Sequence, residues 1–121
     1  MGIHESGEMY LETIFVLSKN GKVRSIDIAK AMGFSRPSVS VTIHNLEKEK
    51  YVNIESDGSI TLAPKGQEIA QRIYERHTVI TSMLEQLGVD KETAAADACK
   101  IEHDISDITF SCLKKHFGYN G

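Results

Sequence analysis

Apolar side chains recur along this chain with two different periods, and the change of period marks out its elements. Through "GEMYLETIFVLSKNG" the positions Met9, Tyr10, Ile14 and Leu17, with Thr13 as a weak member, follow a helical repeat that ends at Asn20-Gly21. Ser25 reads as the cap of a short second helix, "IDIAKAMG", with Asp27 in its first turn and Gly33 as its stop. Ser35 reads as the cap of a third, "RPSVSVTIHNLEKEKY", where Pro37 sits near the start, a place that tolerates proline. Val39, Ile43 and Leu46 fall at spacings of four and three, which turns one face of that helix toward a core.

Alternation then replaces the helical repeat. Val52 and Ile54, and after them Ile60 and Leu62, alternate on either side of "ESDGS", which predicts a β-hairpin turning at Asp57-Gly58. Pro64 opens a long connecting helix over residues 65–87, stopped by Gly88. A fifth helix starts near Asp90, and "SDITFSCLKKHFG" predicts a sixth, capped by Ser106 or Asp107 and ended by Gly118. The expected fold is mainly α: an N-terminal winged helix-turn-helix with a two-stranded wing over residues 1–70, then a helical domain over 71–121. Ala29 is small where the second and third helices must cross, and Gly33 permits the turn between them.

Composition narrows the class. At 121 residues, 40% hydrophobic and 26% charged, the chain is a compact domain of ordinary make-up, not a disordered one. Its core is small, so burial between two copies would be a natural supplement. Met83, Leu84, Leu87, Ile101, Ile105, Ile108 and Leu113 supply more apolar surface than a three-helix head needs, and they are the expected dimer interface. No apolar run is long enough for a bilayer and the first residues carry no signal pattern, so a cytoplasmic protein without membrane contact is expected. Cys99 and Cys112 do not make a disulfide framework.

Net charge is −3, yet its distribution is uneven. Residues 19–50 carry seven basic side chains and three acidic ones, whereas residues 78–121 carry four and seven. The basic middle coincides with the third helix, whose Arg36, Ser38, Ser40, Thr42 and Asn45 are polar and sized for a DNA groove. With Ser25, Ser35 and Pro37 at the helix starts, these are the candidate contacts to double-stranded DNA; the alternative is a solvated face on a structural three-helix unit.

One short stretch carries candidate chemistry of another kind. In "ACKIEHDIS", Cys99, Glu102 and His103 stand at i, i+3 and i+4, which stacks thiol, carboxylate and imidazole on one helical face. A divalent transition metal wants such donors, with the cysteine favouring iron(II), cobalt, nickel or zinc over manganese. Read alone, the same residues describe a small buried cysteine beside two solvated polar side chains. Cys112, His44 and His116 have no partners at ligand spacing and read as structural or surface residues.

Taken together, "EMYLETIFVL", "IAKAMGFSRPSVSVTIHNLEKEKYV", "ITLAPKG", "RH" and "ACKIEHDIS" resemble the diphtheria-toxin-repressor and manganese-transport-regulator family of metal-dependent repressors, from about Glu8 to Phe117. The resemblance implies a homodimer that binds a palindromic operator when loaded with its co-repressor metal. It implies a metal site on Met9, Cys99, Glu102 and His103, the Met and Cys pair being that of iron-responsive members. Glu12 is similar to the manganese-type glutamate, and His77 is a histidine of both branches. Iron(II) is thereby favoured and manganese(II) remains open, with cobalt, nickel or zinc as substitutes. Thr81 and Ala95 depart from the pattern, standing where iron-type members carry a glutamate and a histidine of an ancillary site. The length leaves no room for the SH3-like domain of longer members, and so resembles the short, manganese-type architecture.

Two other classes fit parts of the pattern. A regulator of the multiple-antibiotic-resistance type would keep the wing and answer a small organic ligand. A zinc enzyme would use Cys, Glu and His, but no H-E-x-x-H pattern or substrate loop accompanies them. Neither an enzyme nor an organic substrate is expected.

Overall fold

The computed structural model describes residues 5–117, and among them the order of elements is α1 (Glu5–Ser18), α2 (Ser25–Met32), α3 (Arg36–Lys48), β1 (Val52–Ile54), β2 (Ile60–Leu62), α4 (Pro64–Gln86), α5 (Lys91–Ile101) and α6 (Asp107–His116). This is the mainly helical winged architecture that the two periods predict. Gly118, the expected stop of the last helix, lies outside the described residues. The chain divides into two compact units, one up to Gln71 and one from Arg72 onward, with α4 contributing to both.

In the first unit, α1 buries Tyr10, Leu11 and Ile14, α2 buries Ile28 and Ala29, and α3 buries Val39, Ile43 and Leu46. Leu11 is fully enclosed, although it falls beside the apolar stripe read from the sequence. Each such aliphatic side chain contributes roughly 1.5–3 kcal/mol by leaving water. The turn between α2 and α3 is made by Gly33, at φ 71°, whose N–H donates to Ala29 O at 2.9 Å. Ser35 caps α3 as expected, its hydroxyl accepting from the Ser38 N–H at 3.3 Å.

The start of α2 differs from expectation. Ser25 is its first helical residue, not its cap. Arg24 occupies the cap position, and the Asp27 carboxylate reaches back to accept the Arg24 N–H at 2.9 Å. An acidic side chain in the first turn thus satisfies the backbone that a serine hydroxyl was expected to satisfy.

β1 and β2 pair antiparallel with Val52 opposite Leu62 and Ile54 opposite Ile60, and Val23 adds an isolated bridge to Ile60. The wing tip is tied down by Asp57. Its carboxylate accepts from the Ser59 N–H (2.9 Å) and hydroxyl (2.6 Å) and pairs with Lys22 at 2.7 Å, while its carbonyl accepts from Arg24 at 2.5 Å. The Lys22 ammonium and the Ser59 donors hold the Asp57 carboxyl well below the usual carboxylate range.

In the second unit, Ile80, Met83 and Ala98 form a small core with the half-buried Leu84, Ile101, Ile105, Leu113 and Phe117. Asp90 caps α5 by accepting from the Thr93 N–H at 3.0 Å, and Ser106 rather than Asp107 caps α6 through Thr109. No described helix is long and apolar enough to cross a membrane.

A candidate metal centre around Glu102

Helix α5 ends earlier than the i, i+3, i+4 reading of "ACKIEHDIS" requires. Ile101 is its last residue, Glu102 is the C-cap, and His103 lies in the following turn. The reason lies 26 residues upstream. Arg76 on α4 donates from Nη1 to the carbonyls of Glu102 (3.1 Å) and Ile105 (2.7 Å), and from Nη2 to the Asp107 carboxylate. Its guanidinium also stacks over Phe110 at 5.3 Å. A helix end leaves carbonyls without partners, and here a buried arginine supplies them and draws the chain into a turn. Glu102 itself keeps right-handed helical angles, φ −58° and ψ −26°, so its relation to Cys99 survives.

Around that turn the second unit gathers three donors. His77 Nδ1 lies 3.1 Å from Glu102 Oε1, and Cys99 Sγ lies 3.8 Å from the same nitrogen. The three ligating atoms are all within 4.8 Å of one another. Glu102 is completely buried, His77 half-buried and Cys99 exposed. Cys99 is therefore no core filler. His103 is half-buried in the turn.

Glu102 Oε2 decides whether the group suits a cation. It is buried and has no hydrogen-bond partner among the described residues. An ionised carboxylate removed from water costs several kcal/mol unless a charge or donor meets it, and a divalent ion would meet it. Thiolate, imidazole and carboxylate are also a normal donor set for a transition metal. The residues present fit the group.

The remaining expected ligands sit on the first unit. Met9 and Glu12 are one turn apart on α1, Met9 39% exposed and Glu12 half-buried. The expected DNA contacts are also on that unit: Ser35, Arg36, Pro37, Ser38 and Asn45 are exposed, and Ser25, Ser40 and Thr42 half-buried. Of the expected dimer residues, Met83 is in the core of its own unit and Leu84, Ile101, Ile105 and Leu113 pack half-buried against it; Leu87 and Ile108 are 67% and 78% exposed. Thr81 places its hydroxyl in the interior without a partner among the described residues, and Ala95 has no donor to offer.

Sequence reasoning passed over Arg76 except as the neighbour of His77. The signal was available, because Ile73, Arg76, Ile80 and Met83 form one buried stripe with a charge in it.

The comparisons with known proteins agree with this geometry in both halves. The iron dependent repressor N-terminal DNA binding domain matches residues 3–60, and the iron dependent repressor metal binding and dimerisation domain matches residues 63–120. An HTH-type transcriptional regulator of Methanocaldococcus jannaschii is 36% identical over 113 residues, covering 91% of this chain and 90% of that protein. The transcriptional regulator MntR of Bacillus subtilis is 34% identical over 102 residues, 84% of this chain and 72% of that one. Among solved structures, the manganese regulator SloR superposes with a TM-score of 0.81 at 29% identity. That match covers 99% of this chain, which spans only 56% of the SloR chain. A winged head, a helical unit that gathers His77, Cys99 and Glu102, and family matches along nearly the whole length lead to one conclusion: the chain belongs to the iron-dependent repressor family of metal-dependent, DNA-binding transcriptional regulators.

Proposed function

We propose that this protein is a homodimeric repressor that binds a palindromic operator when it holds a divalent metal, iron(II) in first place and manganese(II) in second. The observation that carries the reading is the buried Glu102 carboxylate, one oxygen unpartnered, beside His77 and Cys99. The proposed ligands are His77, Cys99, Glu102 and His103, joined by Met9 and Glu12 from α1, the last two on the strength of the family motif "EMYLE". A divalent cation bound there supplies positive charge against the Glu102 carboxylate and a shared centre for donors from separate helices.

The chain's own residues set the response. Arg76 holds the Glu102–Asp107 turn, and so fixes the direction in which Glu102 and His103 present their donors. Metal favours the DNA-competent arrangement only by its differential affinity for that arrangement over others. In the proposed operator complex the two α3 helices of a dimer enter major grooves about 34 Å apart. Arg36, Ser38, Ser40, Thr42 and Asn45 meet bases and phosphates there, with Ser25, Ser35 and Pro37 at the helix starts. Soft donors at Cys99 and Met9 support iron(II); Glu12, Glu102 and His77 accept manganese(II), the metal named for the relative SloR. Cys99 and Cys112 are both free thiols, which suits the reducing cytoplasm.

The test is operator binding across iron(II), manganese(II), cobalt(II) and zinc(II) at fixed salt, using duplexes selected from genomic fragments. Metal is expected to raise affinity at least tenfold, and Cys99→Ala and Glu102→Ala to remove most of that gain. DNA binding that is equal with and without metal would overturn the reading.

A further inference from the structure

We propose that Val41 reads the 5-methyl group of a thymine in the operator and is a specificity-determining residue of α3. This rests on the DNA-binding reading above. Val41 is 63% exposed, more than any other large apolar side chain among the described residues of the first unit: Phe34, Val16, Met9 and Ile26 lie between 48% and 37%. The buried face of α3 is complete without it, since Val39, Ile43 and Leu46 point inward and are at most 6% exposed. A β-branched residue in a helix gains nothing from propensity, and an exposed one gains nothing from burial. Val41 therefore contributes little to holding the fold.

A single exposed apolar residue is commonplace. Its surroundings set this one apart. Pro37, Val41, Asn45 and Lys48 follow one another at spacings of four, four and three, so they form one stripe along α3. Arg36 and Lys48 place positive charge at the two ends of the helix, and Ser38 and Asn45 add exposed hydrogen-bonding groups. Charge at both ends suits phosphates, and short polar groups suit base edges. Between Pro37, which is also apolar, and Asn45, the centre of the stripe at Val41 has no side-chain donor or acceptor.

That lack has one complement in B-DNA. In the major groove thymine alone presents a methyl group, whereas cytosine presents an amino donor and the purines present acceptors. A valine against those polar edges would leave them without a hydrogen bond, a cost that disfavours every pair but T·A or A·T at that step.

The test uses the full chain saturated with manganese(II) and a randomised duplex library, followed by replacement of each thymine of the selected duplex with deoxyuridine. Wild-type protein is expected to lose about fourfold in affinity, the worth of one buried methyl group, at one thymine in each half-site. The Val41→Ser protein, whose circular dichroism and manganese affinity are expected to match wild type, should be indifferent to that same replacement. If both proteins sense every thymine methyl equally, Val41 does not read one and the proposal falls alone. If the loaded protein selects no sequence, the DNA-binding reading falls and takes the proposal with it.

Discussion

Burial and chemistry pull in opposite directions at Glu102. Its side chain is shut away from water, yet among the described residues only Oε1 has a hydrogen-bond partner, the His77 ring. In the proposed metal site, an ionised carboxylate there would weaken the metal-free protein and would be met by the cation. Glu102→Gln keeps the volume and removes the charge. Without metal it is expected to raise stability by about 1 kcal/mol, read by urea unfolding. Calorimetric titration with manganese(II) should show affinity reduced at least about tenfold. Wild type should also gain about 2.7 kcal/mol at a metal concentration 100 times its dissociation constant, of which a variant with tenfold weaker affinity keeps about half at the same concentration. A variant less stable than wild type in the absence of metal would mean that the carboxylate serves the fold instead.

Elements are shaped by local chemistry at their ends, and two glycines show how differently that can act. Gly33 sits at φ 71° with open space around it, so Gly33→Ala meets only the left-handed backbone penalty, about 1 kcal/mol. Gly66, near the start of α4, would place a Cβ only 2.1 Å from the Tyr51 carbonyl oxygen. Gly66→Ala must push backbone against backbone, so its denaturation midpoint should fall further than that of Gly33→Ala. The wing has its own dependence on acid. Asp57 is held below the usual 3.8 in the folded state, so its contribution is complete above that value and is lost as pH falls beneath it. Asp57→Asn should lower stability at pH 7 and make little difference in strong acid. The carboxylate is exposed, so salt should shrink the effect at neutral pH.

At the scale of the whole molecule, the proposed dimer depends on surface that one chain leaves uncovered. Met83, Leu84, Ile101, Ile105 and Leu113 already have neighbours in their own unit, which leaves Leu87 and Ile108 as the apolar side chains with most to gain from a second copy. Ile108→Asp on α6 should preserve helical content, because the residue is 78% exposed, while sedimentation at micromolar concentration shows monomer. Operator affinity should fall with the dimer, since one head alone reads half a palindrome. A dimer that survives Ile108→Asp unchanged would place the interface elsewhere. Affinity should also fall steeply with salt, as phosphate contacts by the basic middle of the chain require, and Arg36→Ala should flatten that slope by about one unit.

The amino-acid sequence by itself determined what depends on near neighbours. Periods of 3.6 and 2 separated helices from the wing, and Ser35, Asp90 and Ser106 marked helix starts because a cap and its target N–H lie three residues apart. "EMYLE" and "ACKIEHDIS" marked the family for the same reason, as short strings with their spacing intact. Tertiary structure decided whatever depended on residues far apart in the chain. Arg76, 26 residues before Glu102, ended α5 at Ile101 and moved His103 into a turn. Val23 joined the wing through Ile60, and Asp57 bound Lys22 from 35 positions away. Glu102 acquired its unpartnered oxygen only when folding closed over it. A local pattern can name a ligand, but burial is a property of the folded chain, and burial makes that carboxylate suited to a metal.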